Sequence, residues 1–240
     1  MTQQPPPSVS QPTTQQRRIT AAWLAAAMLV VIVALGPRLR RAVYLNRASL
    51  AIAHAYALDG SPCVGMPPEA NAATADDALH FAHALLELDS DDAAAWRQLG
   101  RARWLAGDAS QAEAALQQAI ASNPHDLHAG DALAAVHAAT GEIDQAVSEW
   151  RQLGYPARLV ALGQRLAEEE RWRQAIAAYE AAIEVSPGHA EAYYGLGWAR
   201  YRSAGDVGGA LAAFLGARDV RPHSPWPYVS IGDLYATEGC

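Results

Sequence analysis

Two histidines one helical turn apart, His80 and His83, stand close in sequence to Asp76, Asp77 and Glu87. Imidazole and carboxylate groups gathered on one helix face could ligate a metal ion. The competing reading is a solvated face on an ordinary amphipathic helix, and that reading is adopted. His125 and His128 flank a turn and read as surface residues. Cys63 sits in Gly60-Ser61-Pro62-Cys63-Val64-Gly65, far from Cys240 and outside any C-x-x-C pair, so neither a zinc site nor a disulfide framework is indicated. A free thiol and a pairing with Cys240 both stay open. The chain contains no lysine. That excludes a Walker-type phosphate loop and Schiff-base chemistry, which both need the amine. Gly195-Leu196-Gly197 lacks the third glycine and the preceding strand of a dinucleotide fingerprint. Glu168-Glu169-Glu170 reads as a charged helix end. With no G-x-S-x-G or H-E-x-x-H, the sequence predicts no catalytic residue, no metal, no cofactor and no small-molecule substrate.

The charges are unevenly placed. Residues 1–58 carry six arginines and no acid, a charge of +6, whereas residues 59–240 carry −13. An acidic domain repels phosphate backbones, so nucleic acid is not an expected partner. The arginines instead flank an apolar run, where they can meet lipid headgroups.

Residues 1–18 begin with a tail of Gln, Pro, Ser and Thr that cannot bury apolar area and is expected to be disordered. It ends on Arg17-Arg18. Residues 19–36, Ile19 to Gly36, contain no charge. Eighteen helical residues reach about 27 Å, enough for a hydrocarbon core of about 30 Å. Pro37 and Arg38 are expected to close the run. A cleaved signal peptide competes with a retained anchor: Ala34 and Gly36 supply small residues before a cut, but Pro37 and four arginines would follow it. The retained single span is favoured. Arginine counting, two before and four after, points to a cytoplasmic C-terminal side. The usual behaviour of N-terminal anchors points the other way, and the expectation adopted is a single-pass cell-membrane protein with its C-terminal domain extracytoplasmic.

From residue 91 onward the sequence repeats. Trp96-x-x-Leu99-Gly100 is followed by Gly107-Asp108, Ala112, Ala119 and Pro124. Leu159-x-x-Leu162-Gly163 is followed by Ala175, Tyr179, Ala182 and Pro187; Tyr193-x-x-Leu196-Gly197 by Gly205-Asp206, Ala210, Phe214, Ala217 and Pro222. A weaker unit has Leu133-Ala134, Gly141-Glu142, Ala146 and Trp150, and the chain ends with Tyr228-x-x-Ile231-Gly232-x-x-Tyr235. Small residues let helix backbones approach. Gly100, Gly163, Gly197 and Gly232 fall mid-helix, where glycine costs about 1 kcal/mol relative to alanine; a partner helix filling the vacated space would offset that. Ser110-Gln-Ala-Glu113 reads as a capping box, and Pro124, Pro187 and Pro222 stop second helices.

This register resembles the tetratricopeptide repeat family, whose unit is 34 residues of helix–turn–helix. The resemblance implies an all-α solenoid of hairpins, preceded here by a single transmembrane helix. The array spans 91–240, with units 93–126, 127–155, 156–189 and 190–224 and a terminal helix over 225–240. The second unit is short, ending at Gly154-Tyr155-Pro156. Arg103, His137, Leu166 and Arg200 occupy the slot where the family has tyrosine. Residues 44–90 are expected to form an irregular first hairpin, with helices over Leu45–Leu58 and Thr74–Leu88.

In that family the first helices line a concave groove that holds partner segments. The resemblance therefore places Arg97, Arg101 and Trp104 in the groove, with Glu191, Tyr194, Trp198, Tyr201 and Arg202, and with Trp226 and Asp233 of the terminal helix. Tyr194, Trp198 and Tyr201 share one helix face at i, i+4 and i+7, which suits either internal packing or a partner surface. The function expected is a membrane-anchored protein–protein interaction scaffold. The alternative is a noncatalytic subunit or separated domain of a membrane enzyme complex, such as envelope polysaccharide machinery.

Overall fold

The computed structural model describes residues 35–53 and 72–237. The tail 1–18, the apolar run up to residue 34, the loop bearing Cys63, and Cys240 lie outside the described residues. No helix among the described residues is long and apolar enough to cross a membrane. The chain divides into two compact units, Met1–Tyr44 and Leu45–Cys240. Residues 35–53 are helical throughout (α1), so Pro37 lies inside a helical stretch rather than closing one.

Ten further helices follow, and among the described residues there is no strand. They are α2 (Ala72–Leu88), α3 (Ala93–Leu105), α4 (Ala109–Ser122), α5 (Leu127–Thr140) and α6 (Ile143–Leu153). Then come α7 (Pro156–Glu168), α8 (Trp172–Val185), α9 (Ala190–Ala204), α10 (Val207–Val220) and α11 (Pro225–Thr237). Each of α2–α10 packs on the next helix, and first helices also touch first helices, α3 with α5 and α7 with α9. Ala48 and Ile52 of α1 are fully buried, Ile52 beside Ala75 and Ala78 of α2 and Ala102 and Leu105 of α3. The Gln98 side chain donates to Ser49 Oγ at 2.9 Å.

The helix ends follow from local chemistry. Asp92, Asp108, Asp126 and Asp206 each place a carboxylate on a free backbone N–H at the start of α3, α4, α5 and α10. The cap of α4 is thus Asp108, which accepts from the Gln111 N–H, and Ser110 of the expected capping box lies inside the helix. α4, α8 and α10 each end two residues before Pro124, Pro187 and Pro222. α6 ends at Gly154, whose left-handed backbone (φ 73°) turns the chain directly into Pro156 at the first position of α7. That turn is abrupt, and α6 packs on α8 as well as on α7.

The helices are held close by missing side chains. A Cβ placed on Gly100 would come within 2.6 Å of Leu116, one on Gly163 within 2.8 Å of the Tyr179 ring, and one on Gly197 within 2.5 Å of Phe214. The Tyr179 ring also abuts Gly195 of α9, so it sits between glycines of α7 and α9. Burial foremost, with the nearby Glu168 charge, pushes the Tyr179 phenol up to about 12, which makes it a neutral space-filler at ordinary pH. Gly232 departs from this pattern: no described residue lies within 4 Å of its Cβ position. The offset by a covering helix, expected at all four positions, holds at three.

Polar residues in the family's tyrosine slot bond across helices. Arg200 of α9 donates to Glu180 of α8 at 2.8 Å. His137 of α5 is buried with Nδ1 2.9 Å from a Glu149 carboxylate oxygen of α6.

The glycine contacts generate a first prediction. Gly195→Ala should lower stability by about 1–3 kcal/mol, because the buried Tyr179 ring cannot yield. Gly232→Ala should raise helix stability by about 1 kcal/mol. Thermal unfolding followed by circular dichroism should therefore rank the melting temperatures Gly232→Ala, wild type, Gly195→Ala in descending order.

Candidate partner-binding site

The first helices carry the residues expected to meet a partner, and the structure separates them into two groups. Trp104 is 8% exposed and packs with Ala112 and Leu116 of α4 and Leu133 and Val136 of α5. Trp198 and Tyr201 are half-buried. The Trp198 ring lies edge-on to Phe214 at 5.6 Å and to Tyr201 at 6.2 Å, and the Tyr201 hydroxyl bonds Thr237 at 3.3 Å. The aromatic stripe of α9 is therefore mainly a seam joining α9 to α10 and α11. Arg97 forms an ion pair with Asp126, tying α3 to the start of α5. Arg101 is half-buried on α3, and Arg202 and Asp233 are exposed on α9 and α11.

The remaining three, Glu191, Tyr194 and Trp226, converge. They line a pocket of about 480 Å³ together with Ala190, Ala217, Arg221, Ser224 and Pro227. A volume in that range accommodates a large side chain or a short peptide stretch. Apolar walls come from Tyr194 on α9, Ala217 on α10 and Pro227 on α11. Tyr194 is held from behind by Phe214 at 5.8 Å. Trp226 is 64% exposed, a large indole left in water at the pocket's edge.

The charge at this pocket is a pair. Arg221 Nη1 donates to Glu191 Oε1, and His189 Nδ1 lies 3.1 Å from the other carboxylate oxygen. Burial alone would raise the Glu191 carboxyl. Its own backbone N–H, the Arg221 bond and charge, and His189 outweigh that and hold it below the usual carboxylate value. Both charges stand at the protein surface, where a partner's polar groups can reach them.

Arg221, Ser224 and Pro227 were not anticipated from sequence. Arg221 caps the C-terminus of α10 in the turn before Pro222, and a turn residue has no helical periodicity to advertise its direction. One signal exists: the Arg97–Asp126 and Glu191–Arg221 pairs both link a first helix to the turn that starts the next one, 29 and 30 residues on. His80 and His83 are exposed on α2, and no group of three or more His, Cys, Asp or Glu able to hold a metal occurs among the described residues.

The family model for the tetratricopeptide repeat matches residues 69–126 and 160–225, just over half of the chain. The chain belongs to the tetratricopeptide repeat family. The first matched stretch begins before α2, so α2 falls within the repeat pattern together with α3 and α4. Among curated proteins none matches the chain in sequence. Among solved structures, a MamA protein is similar over 76% of this chain and 92% of its own, at 17% identity and a TM-score of 0.50, which shows a shared fold. MamA from Desulfovibrio magneticus RS-1 (41-end) is similar over 76% and 96% at 15% identity, with a TM-score of 0.49. YrrB, described as a TPR protein with an unusual peptide-binding site, is similar over 66% and 84% at 21% identity, with a TM-score of 0.43. Repeats of this family form scaffolds suited to protein–protein interaction.

The electrostatics at the tetratricopeptide pocket can be tested directly. A carboxyl held below its unfolded value contributes stability above the unfolded pKa, and that contribution is lost as pH falls through the folded pKa. Carboxyl-detected NMR should show Glu191 titrating below the ordinary glutamate value. Arg221→Ala should move the titration upward, and no movement would show that Arg221 does not hold this carboxylate.

Proposed function

We propose that this chain is a membrane-anchored interaction scaffold that holds a protein partner's segment at the pocket between α9 and α11. The observation that carries the reading is the pocket itself: first helices of successive repeats contribute Glu191, Tyr194 and Trp226 to one cavity, with Arg221 beside them. Exposed aromatic and arginine side chains around an apolar depression supply most of the energy at protein interfaces. The segment it suits carries one bulky apolar side chain for the depression and polar groups that bond Arg221 and Glu191.

Anchoring is supported by sequence: the uncharged run Ile19–Gly36 lies between Arg17-Arg18 and Arg38, Arg40 and Arg41. In this proposal the span is retained, and the repeat array stands outside the cytoplasm. No catalytic step is assigned to it.

Photo-crosslinking in native membranes tests the partner site. A photo-reactive residue replacing Trp226 should capture one protein, and capture should disappear when Tyr194→Ala and Arg221→Ala are combined, with the helical circular dichroism spectrum retained at the assay temperature. Undiminished capture in that variant would remove the pocket from the account. The anchor has its own test. The chain should stay with membranes through alkaline carbonate extraction and leave them when residues 19–36 are deleted, and a reporter enzyme that works only outside the cytoplasm should be active when fused after Cys240. Release of the intact chain by carbonate would contradict anchoring, and an inactive reporter would reverse the orientation.

A further inference from the structure

The pocket that Tyr194, Ala217, Arg221, Trp226 and Pro227 line has its walls on α9, the end of α10 and the start of α11, all within the described residues. The hydrogen-bonding capacity left there is one-sided. Its carboxylate, Glu191, is already served. Oε1 accepts from Arg221, His189 Nδ1 lies 3.1 Å from Oε2, and the Glu191 backbone N–H bonds the same side chain. Arg221 has donors to spare. A guanidinium carries five N–H donors in a planar fork, and among the described residues the Arg221 side chain bonds Glu191 alone, through Nη1. It is 57% exposed. The Trp226 indole N–H, which can only donate, bonds no described residue. What the site lacks is an acceptor.

We infer that the partner's segment presents an Asp or Glu carboxylate to the Arg221 guanidinium, within about two residues of the bulky apolar side chain that fills the depression. This chemistry rests on the pocket being the partner site, as proposed above. Arginine grips a carboxylate through two parallel N–H···O bonds, stronger than bonds to a neutral carbonyl, and the single bond to Glu191 leaves donors for such a fork. Glu191 is then a positioning residue, whose bond fixes the guanidinium beside the pocket. It also repels an incoming acid, and its surroundings offset that repulsion. Burial works to raise the Glu191 carboxyl, yet its backbone N–H, Arg221 and His189 hold it below the usual value, so the local potential favours negative charge. α9 and α11 both begin at the pocket, with Ala190 and Trp226 in their first turns, and helix N-termini add to that potential. Residues 59–240 carry −13, but physiological salt screens exposed charges beyond about 8 Å, so contact with Arg221 decides.

The probe is a library of random peptides displayed on phage and selected on the full-length chain in nanodiscs. Enriched sequences are synthesised and titrated by fluorescence anisotropy. They should pair Trp, Phe or Leu with an Asp or Glu within about two positions. Replacing that acid by its amide should weaken binding about tenfold or more. With Arg221→Gln in the protein, the acid and amide peptides should bind alike. Loss of the preference, and not of binding as such, separates recognition from misfolding. The helical circular dichroism spectrum should also persist, since Arg221 lies in the turn after α10 and pairs at the surface. Peptides that lose affinity with Tyr194→Ala but bind equally as acid or amide, or that carry Lys or Arg in the acid's place, would overturn the carboxylate and leave the pocket standing. No enrichment, or enrichment indifferent to Tyr194→Ala, would overturn both.

Discussion

The Tyr179 ring lies between two helices that have each given up a side chain to admit it, Gly163 on α7 and Gly195 on α9. Two mid-helix glycines cost about 2 kcal/mol in helix propensity. Burial of a large ring on both faces returns a gain of the same order. The exchange succeeds only when α7, α8 and α9 are assembled together. The same logic sets Leu116 against Gly100 and Phe214 against Gly197. Stability in such a stack is the sum of nearest-neighbour seams, so each seam fixes where the next first helix begins and which of its side chains remain outside.

Polar contacts then fix orientation between neighbours. Asp131 of α5 accepts from the Trp150 indole of α6 at 2.9 Å and from Arg158 of α7 at 2.7 Å, binding three helices through one carboxylate. Arg165 of α7 reaches back to the Ala138 carbonyl of α5 at 2.6 Å. Partly exposed pairs of this kind add little net stability, but they select one register between first helices. The Glu191–Arg221 pair belongs to this set. It differs in standing beside a cavity with an exposed indole at its edge, which is why the same structural staple can also meet a partner.

The hairpin register was legible because L-G and alanine spacing records which residues face a neighbouring helix. What the spacing does not record is which neighbour covers a face. Trp104 and Trp198 have the same helical phase as true surface residues, and only the placement of α5 and Phe214 decides that they pack inward. Tyr194 and Trp226 were legible as first-helix residues, whereas Arg221 lies in a turn, where no periodicity fixes direction. Ser110 mimicked a capping residue, but Asp108 reaches the free N–H groups first because α4 starts at Ala109. Gly232 carries the seam signature in full, yet no described residue lies within 4 Å of its Cβ position, a difference that a local motif does not encode.

Hydroxyl-radical footprinting tests the central claim most directly, by comparing side-chain oxidation in native membranes with that of the purified chain. The account predicts that Tyr194 and Trp226 are protected in native membranes, while exposed residues of the earlier repeats, such as Leu127, oxidise equally in both. Equal oxidation of Tyr194 and Trp226 in the two preparations, or protection confined to α2–α6, would contradict a partner held at the α9–α11 end of the array.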